Sequence, residues 1–115
     1  MYFQSKLHEQ KFNEMKQQFE GGLANDQLAF VYLATSDILR EAKLINLNEG
    51  YLLSCSDFNP SYLSSSQVKL ARLALHLFNS VNEIDGITDI IDSLDMENRK
   101  LMIQAIVIRA GVCYQ

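Results

Sequence analysis

The chain has 115 residues, of which 48% are apolar and 21% charged, the balance of a single soluble globular domain. With one proline and five glycines it lacks the turn content of a many-turned β fold, and none of its apolar runs is long enough to cross a bilayer. Ten basic residues against fourteen acidic ones give a net charge of −4, whereas non-specific nucleic-acid binders usually carry a basic excess.

The amino-terminal part of the chain predicts three helices. Ser5 is a favourable N-cap for the first helix, and Gly21-Gly22 ends it. An apolar run with almost no polar break predicts a buried helix over residues 27–35, because no second run is available to pair with it as a strand. Ser36 is positioned to cap a third helix over residues 37–47.

The middle of the chain predicts an ordered loop followed by the clearest helix. Residues 48–65 contain Pro60 and many serines, yet their large apolar side chains argue against a disordered linker. Ser64 and Gln67 fit the capping-box pattern, in which each side chain satisfies the other residue's backbone amide. The helix that follows is predicted over residues 67–82.

Two more helices are predicted in the last third of the chain. A short helix over residues 88–94 follows the break at Asp85-Gly86. Asp95 is a good N-cap for a final helix over residues 96–110, and Gly111 is a typical residue for the end of that helix.

These elements predict an all-α fold in which residues 1–115 form a single domain. The helices over 67–82 and 96–110 are apolar over much of their circumference, so we expect them at the centre of a compact bundle of five or six helices. The other helices are too few to cover both. Uncovered apolar surface is typical of an interface, so a homodimer stays open beside a monomer.

The amino terminus and the cysteines indicate the environment of the protein. The terminus lacks the basic and apolar regions of a secretory signal, which predicts a cytoplasmic protein. Cys55 and Cys113 form neither a CxxC pair nor a metal-ligand spacing, so we expect two free thiols. Residues 1–4 are either native, flexible or tag-like. Tyr2–Ser5 resembles the end of a protease-cleavage tag, but it leads directly into the first helix, which favours a native origin.

The segment over residues 83–98 is strongly acidic, with six carboxylates and no basic side chain. Acids near a helix start are stabilised by the helix dipole, by ~0.3–1 kcal/mol each, and part of the segment lies at predicted helix starts. The alternative is a negative surface offered to a basic protein partner. For this partner surface we select acidic residues of the segment together with aromatic residues of the loop. They are Glu83, Asp85, Asp89 and Asp92, with Tyr51, Phe58 and Tyr62.

A basic stripe on the helix over residues 67–82 offers a second candidate surface. Lys69, Arg72 and His76 recur every three or four residues and therefore share one polar face. Such a face either receives a phosphate or a carboxylate or is an ordinary solvated surface. It is the anion-binding alternative to the acidic segment.

No pattern typical of catalysis or of metal binding is found in the sequence. His8-Glu9 begins like the helix motif of zinc proteases, but Phe12 stands where the second histidine is required. The serines at 64–66 lie outside a nucleophile turn, and no glycine-rich phosphate loop follows a strand. We therefore predict no enzyme, no bound metal and no cofactor, and we expect His8 to pack in the core.

Four strings of the chain form a recognisable combination. They are His8-Glu9-x-x-Phe12, Arg72-Leu73-Ala74-Leu75-x-Leu77-Phe78-Asn79, Ile91-Asp92-Ser93-Leu94-Asp95-x-Glu97-Asn98 and Ala105-Ile106-x-Ile108-Arg109-x-Gly111. In this combination the chain resembles an uncharacterised family of small all-helical cytoplasmic proteins of Gram-positive bacteria, their prophages and mobile elements. The resemblance implies a role in phage–host or mobile-element biology, implies no activity, and marks His8, Arg72, Asn79 and Arg109 for testing.

Taken together, these patterns favour a non-enzymatic protein-interaction module, such as an inhibitor or adaptor of phage or mobile-element origin. Its partner is an unidentified protein or a second copy of the chain, and we expect no membrane contact. The alternative is a nucleic-acid-associated regulator that uses Lys69, Arg72 and His76, which the net negative charge of the chain disfavours.

Overall fold

Five α-helices carry the fold in the residues that the computed structural model describes, which are 1–18, 22–46, 51–52 and 60–112. The helices are α1 (Lys6–Gln17), α2 (Asn25–Ala34), α3 (Ser65–Phe78), α4 (Ile87–Ser93) and α5 (Met96–Ala110). Two 3-10 turns lie at Arg40–Ala42 and Pro60–Tyr62, and the short strands β1 (Ile45–Asn46) and β2 (Tyr51–Leu52) pair antiparallel. Apart from this two-residue pair, the prediction of an all-α fold is confirmed. The radius of gyration of 13.1 Å is that of a compact globule of this size.

Helix α2 lies at the centre of the fold, where it packs most extensively against α5 and α3. All residues from Ala29 to Ala34 are buried, as expected for an apolar run with no polar face. The ring of Phe30 packs on Phe78 of α3 with centroids 5.3 Å apart. The amino-terminal end of α2 meets the end of α5, because a Cβ at Gly111 would lie 2.7 Å from Asn25 Nδ2.

The prediction that residues 67–82 and 96–110 form the two central helices is therefore not confirmed. Helix α3 is largely buried, but it ends at Phe78, because Asn79 adopts an extended backbone. Helix α5 buries Leu101 and Ala105 completely and leaves Ile103 61% exposed. Apolar periodicity identified both helices as amphipathic or buried, but the central place goes to the shorter helix with apolar side chains all round.

The predicted third helix over residues 37–47 is wrong except for the single turn at Arg40–Ala42. Ser36 does not cap a helix, since its hydroxyl donates to the carbonyl of Leu33. Lys43 adopts a left-handed backbone with φ 52° and ψ 49°, which ends the turn and is followed by buried Leu44. The chain then enters β1. This strand is too short to give an alternating apolar pattern, so the sequence did not predict it.

The starts of α1, α3 and α5 follow the predicted capping residues. Ser5 Oγ accepts from the backbone amide of His8 at 3.1 Å, and Asp95 accepts from that of Asn98 at 2.9 Å. Ser64 and Gln67 form the predicted capping box, with N···O distances of 3.2 and 2.8 Å.

The first residues of the chain are bound to the helical core. The backbone amide of Tyr2 donates to Gln104 of α5 at 3.0 Å, and its hydroxyl donates to Glu97 at 2.7 Å. The side-chain amide of Gln4 donates to Asn98 at 2.7 Å. Phe3 packs among the rings of α1 and α2, with its centroid 5.7 Å from that of Phe12.

Within the described ranges, no helix combines the length and apolarity that a membrane span requires.

Candidate functional site

The acidic segment over residues 83–98 extends from the α3–α4 connection to the first turn of α5. Some of its carboxylates are used within the fold: Asp95 caps α5, and Asp85 lies 3.7 Å from the guanidinium of Arg72. Others make no hydrogen bond or ion pair through their side chains with any described residue, and these are Glu83, Asp89 and Asp92. The segment therefore combines helix capping with an uncompensated negative surface on α4 and before it.

Helix α5 carries a row of exposed apolar side chains, which we call the α5 stripe and define as Met96, Ile103 and Ile106. Their side chains are 63%, 61% and 39% exposed. The spacing of seven and three residues places them on one face of the helix, opposite buried Leu101 and Ala105. The sequence pattern contained this stripe, but the expectation of a central α5 assigned it to the core.

Helix α4, which packs on α3, carries two further exposed apolar side chains. Ile87 and Ile91 are 48% and 37% exposed, whereas Ile90 and Leu94 are buried. Arg99 of α5 donates through Nε to the carbonyl of Ile91 at 3.0 Å, which connects α4 with the start of α5. We call the combined surface of Ile87, Ile91 and the α5 stripe the α4–α5 face.

Glu97, in the first turn of α5, shows how charge is distributed near the α5 stripe. Glu97 accepts from the hydroxyl of Tyr2 and lies 3.5 Å from Lys100. These two contacts, in that order, lower the pKa of Glu97. Burial, followed by the bond to Glu97, raises the pKa of Tyr2 to about 12. Glu97 and Lys100 thus compensate each other, whereas the side chains of Asp89 and Asp92 on α4 have no such partner among the described residues.

Of the aromatic residues predicted for the partner surface, Tyr62 is the one whose side chain the structure describes. Tyr62 is 57% exposed, and its hydroxyl donates to the carbonyl of Glu41 at 3.4 Å, at the turn that follows α2. Tyr51 belongs to β2. Phe58 lies outside the described residues, as do Cys55 and Cys113.

The basic stripe of Lys69, Arg72 and His76 faces the connection between α3 and α4. Lys69 Nζ lies 3.5 Å from the carbonyl of Asp89, and the guanidinium of Arg72 lies 3.7 Å from the carboxylate of Asp85. His76 Nδ1 donates to the carbonyl of Asn82 at 2.7 Å. Lys69 and Arg72 therefore hold the acidic segment on α3, and His76 holds the residue just before it, which leaves fewer donors for an external anion.

The residues that the resemblance marked for testing have structural contacts. His8 is fully buried, with Nδ1 accepting from the amide of Gln4 at 3.1 Å and Nε2 donating to the carbonyl of Tyr32 at 2.8 Å. Arg109 donates through Nε to the carbonyl of Leu77 at 2.9 Å. Asn79 Oδ1 accepts from the amide of Val81 at 3.2 Å. His8 has no lone pair left for a metal or for a substrate proton.

Chemical signals of a reaction centre are sparse in the part of the chain that the structure describes. There, no group of three or more His, Cys, Asp and Glu side chains is arranged to hold a metal ion.

Comparisons with protein-family models, with curated proteins and with solved structures find no match to this chain.

Proposed function

We propose that this protein is a non-enzymatic interaction module whose α4–α5 face binds another protein. The observation that carries the proposal is the α5 stripe, in which Met96 and Ile103 are each exposed by more than 60%. Single exposed apolar side chains are common on protein surfaces. A row of them along one helix is the pattern of a docking surface. Ile87 and Ile91 on the preceding helix, α4, add to this row.

The unpaired negative charge on α4 favours a basic partner. Asp89 and Asp92 project from α4 without an ion pair to a described residue, whereas Lys100 is paired with Glu97. A partner helix with an apolar row and flanking Lys or Arg complements both features. A second copy of this chain, with its net charge of −4, complements them less well, so we favour a different protein over a homodimer.

A small module of this kind acts by occupying a surface of its partner or by joining the partner to something else. We therefore extend the proposal to an inhibitor or adaptor. This extension rests on the resemblance of the sequence to a family carried by prophages and mobile elements.

Affinity purification of matched variants from cells of the source organism tests the proposal. Ile103→Asp places a charge in the middle of the α5 stripe, and Val81→Asp places the same charge at a side chain that is 80% exposed and belongs to the connection between α3 and α4. We expect a protein that co-purifies with the unchanged chain and with Val81→Asp and is lost with Ile103→Asp. Cross-linking is expected to join that protein to α4 or α5 through a basic segment.

Two results would contradict the proposal. One is a set of co-purifying proteins that is the same for both variants. The other is light scattering that shows a dimer for the unchanged chain and a monomer for Ile103→Asp, because the face would then bind a second copy.

A further inference from the structure

A cavity of about 280 Å³ lies between α1 and the segment that follows α2, away from the α4–α5 face. Its floor consists of apolar side chains from three parts of the chain, namely Met15, Ala34, Leu44 and Ile45. The first three of these are buried. The hydroxyl of Thr35, which also lines the cavity, donates to the carbonyl of Val31 at 2.7 Å and is thus already satisfied. The floor is suited to the apolar body of a ligand.

The rim of the cavity carries more positive than negative charge. Lys11, Arg40 and Lys43 line it together with a single carboxylate, Glu14. Lys11 lies 3.7 Å from Glu14, so these two charges compensate each other. Arg40 uses one terminal nitrogen for Asp37 at 3.0 Å and for the carbonyl of Thr35 at 3.3 Å. The other donors of its guanidinium fork face no described acceptor.

Lys43 is the cation of the rim that makes no hydrogen bond or ion pair with a described residue. It is exposed, and it is the one described non-glycine residue with a positive φ, at 52°. Glycine adopts this backbone without steric cost, and backbone strain of this kind is concentrated at functional sites. A glycine at this position would satisfy the backbone, but it would remove the ammonium group from the cavity.

We propose that this cavity binds a small organic anion. The anionic head lies between Lys43 and the remaining donors of Arg40, and the apolar body lies on Met15, Ala34 and Leu44. The volume is at the lower end of the range for ligand cavities, so the ligand is a small molecule rather than a peptide. The site is independent of the α4–α5 face.

A pair of probes with the same body and different heads tests this site. 3-Phenylpropionate is the anion, and 3-phenyl-1-propanol is its neutral counterpart. Each is titrated up to about 10 mM, a range that suits ligands of this size, while methyl NMR signals of the protein are recorded. We expect the carboxylate to shift the methyl signals of Met15 and Ala34 through its ring current, and to bind more tightly than the alcohol.

Two charge-matched variants separate the site from general attraction to a lysine. Lys43→Gln is expected to weaken carboxylate binding about fivefold, which corresponds to the loss of one partly exposed ion pair, and to leave alcohol binding unchanged. Lys6→Gln removes the same charge at the opposite end of α1 and is expected to leave both unchanged. Circular dichroism is recorded for each variant to check that it is folded.

Three results would overturn the proposal. The first is an absence of shifts at Met15 and Ala34 over the whole titration. The second is equal affinity for the alcohol and the carboxylate, since the head would then make no contribution. The third is equal weakening by Lys6→Gln and Lys43→Gln, since the effect would then arise from net charge rather than from the cavity.

Discussion

His8 connects the amino-terminal segment with the central helix through a neutral ring. Its Nδ1 accepts from Gln4 and its Nε2 donates to Tyr32, so a proton added to Nδ1 would break the bond to Gln4. Burial accordingly lowers the pKa of His8 below its ordinary value. The unfolded chain then binds a proton more readily than the folded chain does, and stability falls as the pH falls below about 6.5.

Urea unfolding between about pH 7.5 and about pH 5.5 measures this effect. We expect the unchanged protein to lose up to about 1.4 kcal/mol for each pH unit below 6.5, for as long as His8 stays neutral in the folded state. His8→Gln is expected to be less stable at pH 7.5 and to lose this part of the pH dependence. His76→Gln is the control. An equal loss of pH dependence in that variant would contradict the assignment of the effect to His8.

Lys43 shows a conflict between backbone and side chain at a single residue. Its left-handed backbone costs about 1–2 kcal/mol for an L-residue with a Cβ, and glycine avoids this cost. Lys43→Gly is therefore expected to raise the free energy of unfolding by about 0.5–1 kcal/mol after allowance for the greater freedom of glycine in the unfolded chain. Urea unfolding provides the measurement. A loss of stability would mean that the Lys43 side chain contributes more to the fold than its backbone costs.

At the scale of the elements, α5 is the helix whose bounds the sequence predicted best, because a capping side chain precedes it and a glycine follows it. Helix α5 runs from the residue after Asp95 to the residue before Gly111, as predicted from these two residues. The prediction failed for residues 37–47, where an apolar pattern and a serine were present. The backbone of Lys43 depends on how Leu44 reaches the core, and local pattern does not contain this information.

The capping box of α3 has a function beyond the helix itself. The side-chain amide of Gln67 reaches the carbonyl of Ile38 at 3.0 Å and also the carboxylate of Glu41. The start of α3 is thereby attached to the segment that follows α2. Loss of the box is expected to loosen this attachment as well as the first turn of the helix.

Two neighbouring serines allow the contribution of the cap to be measured. Ser64→Ala removes the acceptor for the amide of Gln67 and is expected to cost about 1 kcal/mol in the free energy of unfolding. Ser65→Ala changes the first residue within the helix, which is exposed, and is expected to change stability by less than about 0.5 kcal/mol. Equal effects of the two substitutions in urea unfolding would show that the cap contributes nothing.

At the scale of the whole molecule, the sequence predicted the fold class but not which helix lies at the centre. Periodicity reports which faces of a helix are apolar, and it does not report which neighbour covers them. Helix α5 has more apolar faces than α2 and the amino-terminal segment can cover, so the surplus became the α5 stripe. The basic stripe of α3 could likewise be identified as one face, but its use as a brace for the acidic segment depends on where the chain returns.

The central position of α2 predicts opposite outcomes for two apolar truncations. Leu33 of α2 is completely buried, so Leu33→Ala is expected to cost about 2–5 kcal/mol in the free energy of unfolding through the cavity that it leaves. Ile103 of α5 is 61% exposed, so Ile103→Ala is expected to change stability by less than about 0.5 kcal/mol, and alanine favours the helix.

Urea unfolding at two protein concentrations turns this comparison into a test of the α4–α5 face. A monomer unfolds at the same urea concentration in both samples, whereas a dimer held by the α5 stripe is more stable in the concentrated sample. We expect no concentration dependence for the unchanged chain or for Ile103→Ala, because the face is proposed to bind a different protein. A large loss of stability in Ile103→Ala that is independent of concentration would place Ile103 in the core and contradict the exposure on which the stripe depends. A loss that appears only in the concentrated sample would instead identify a second copy as the occupant of the face.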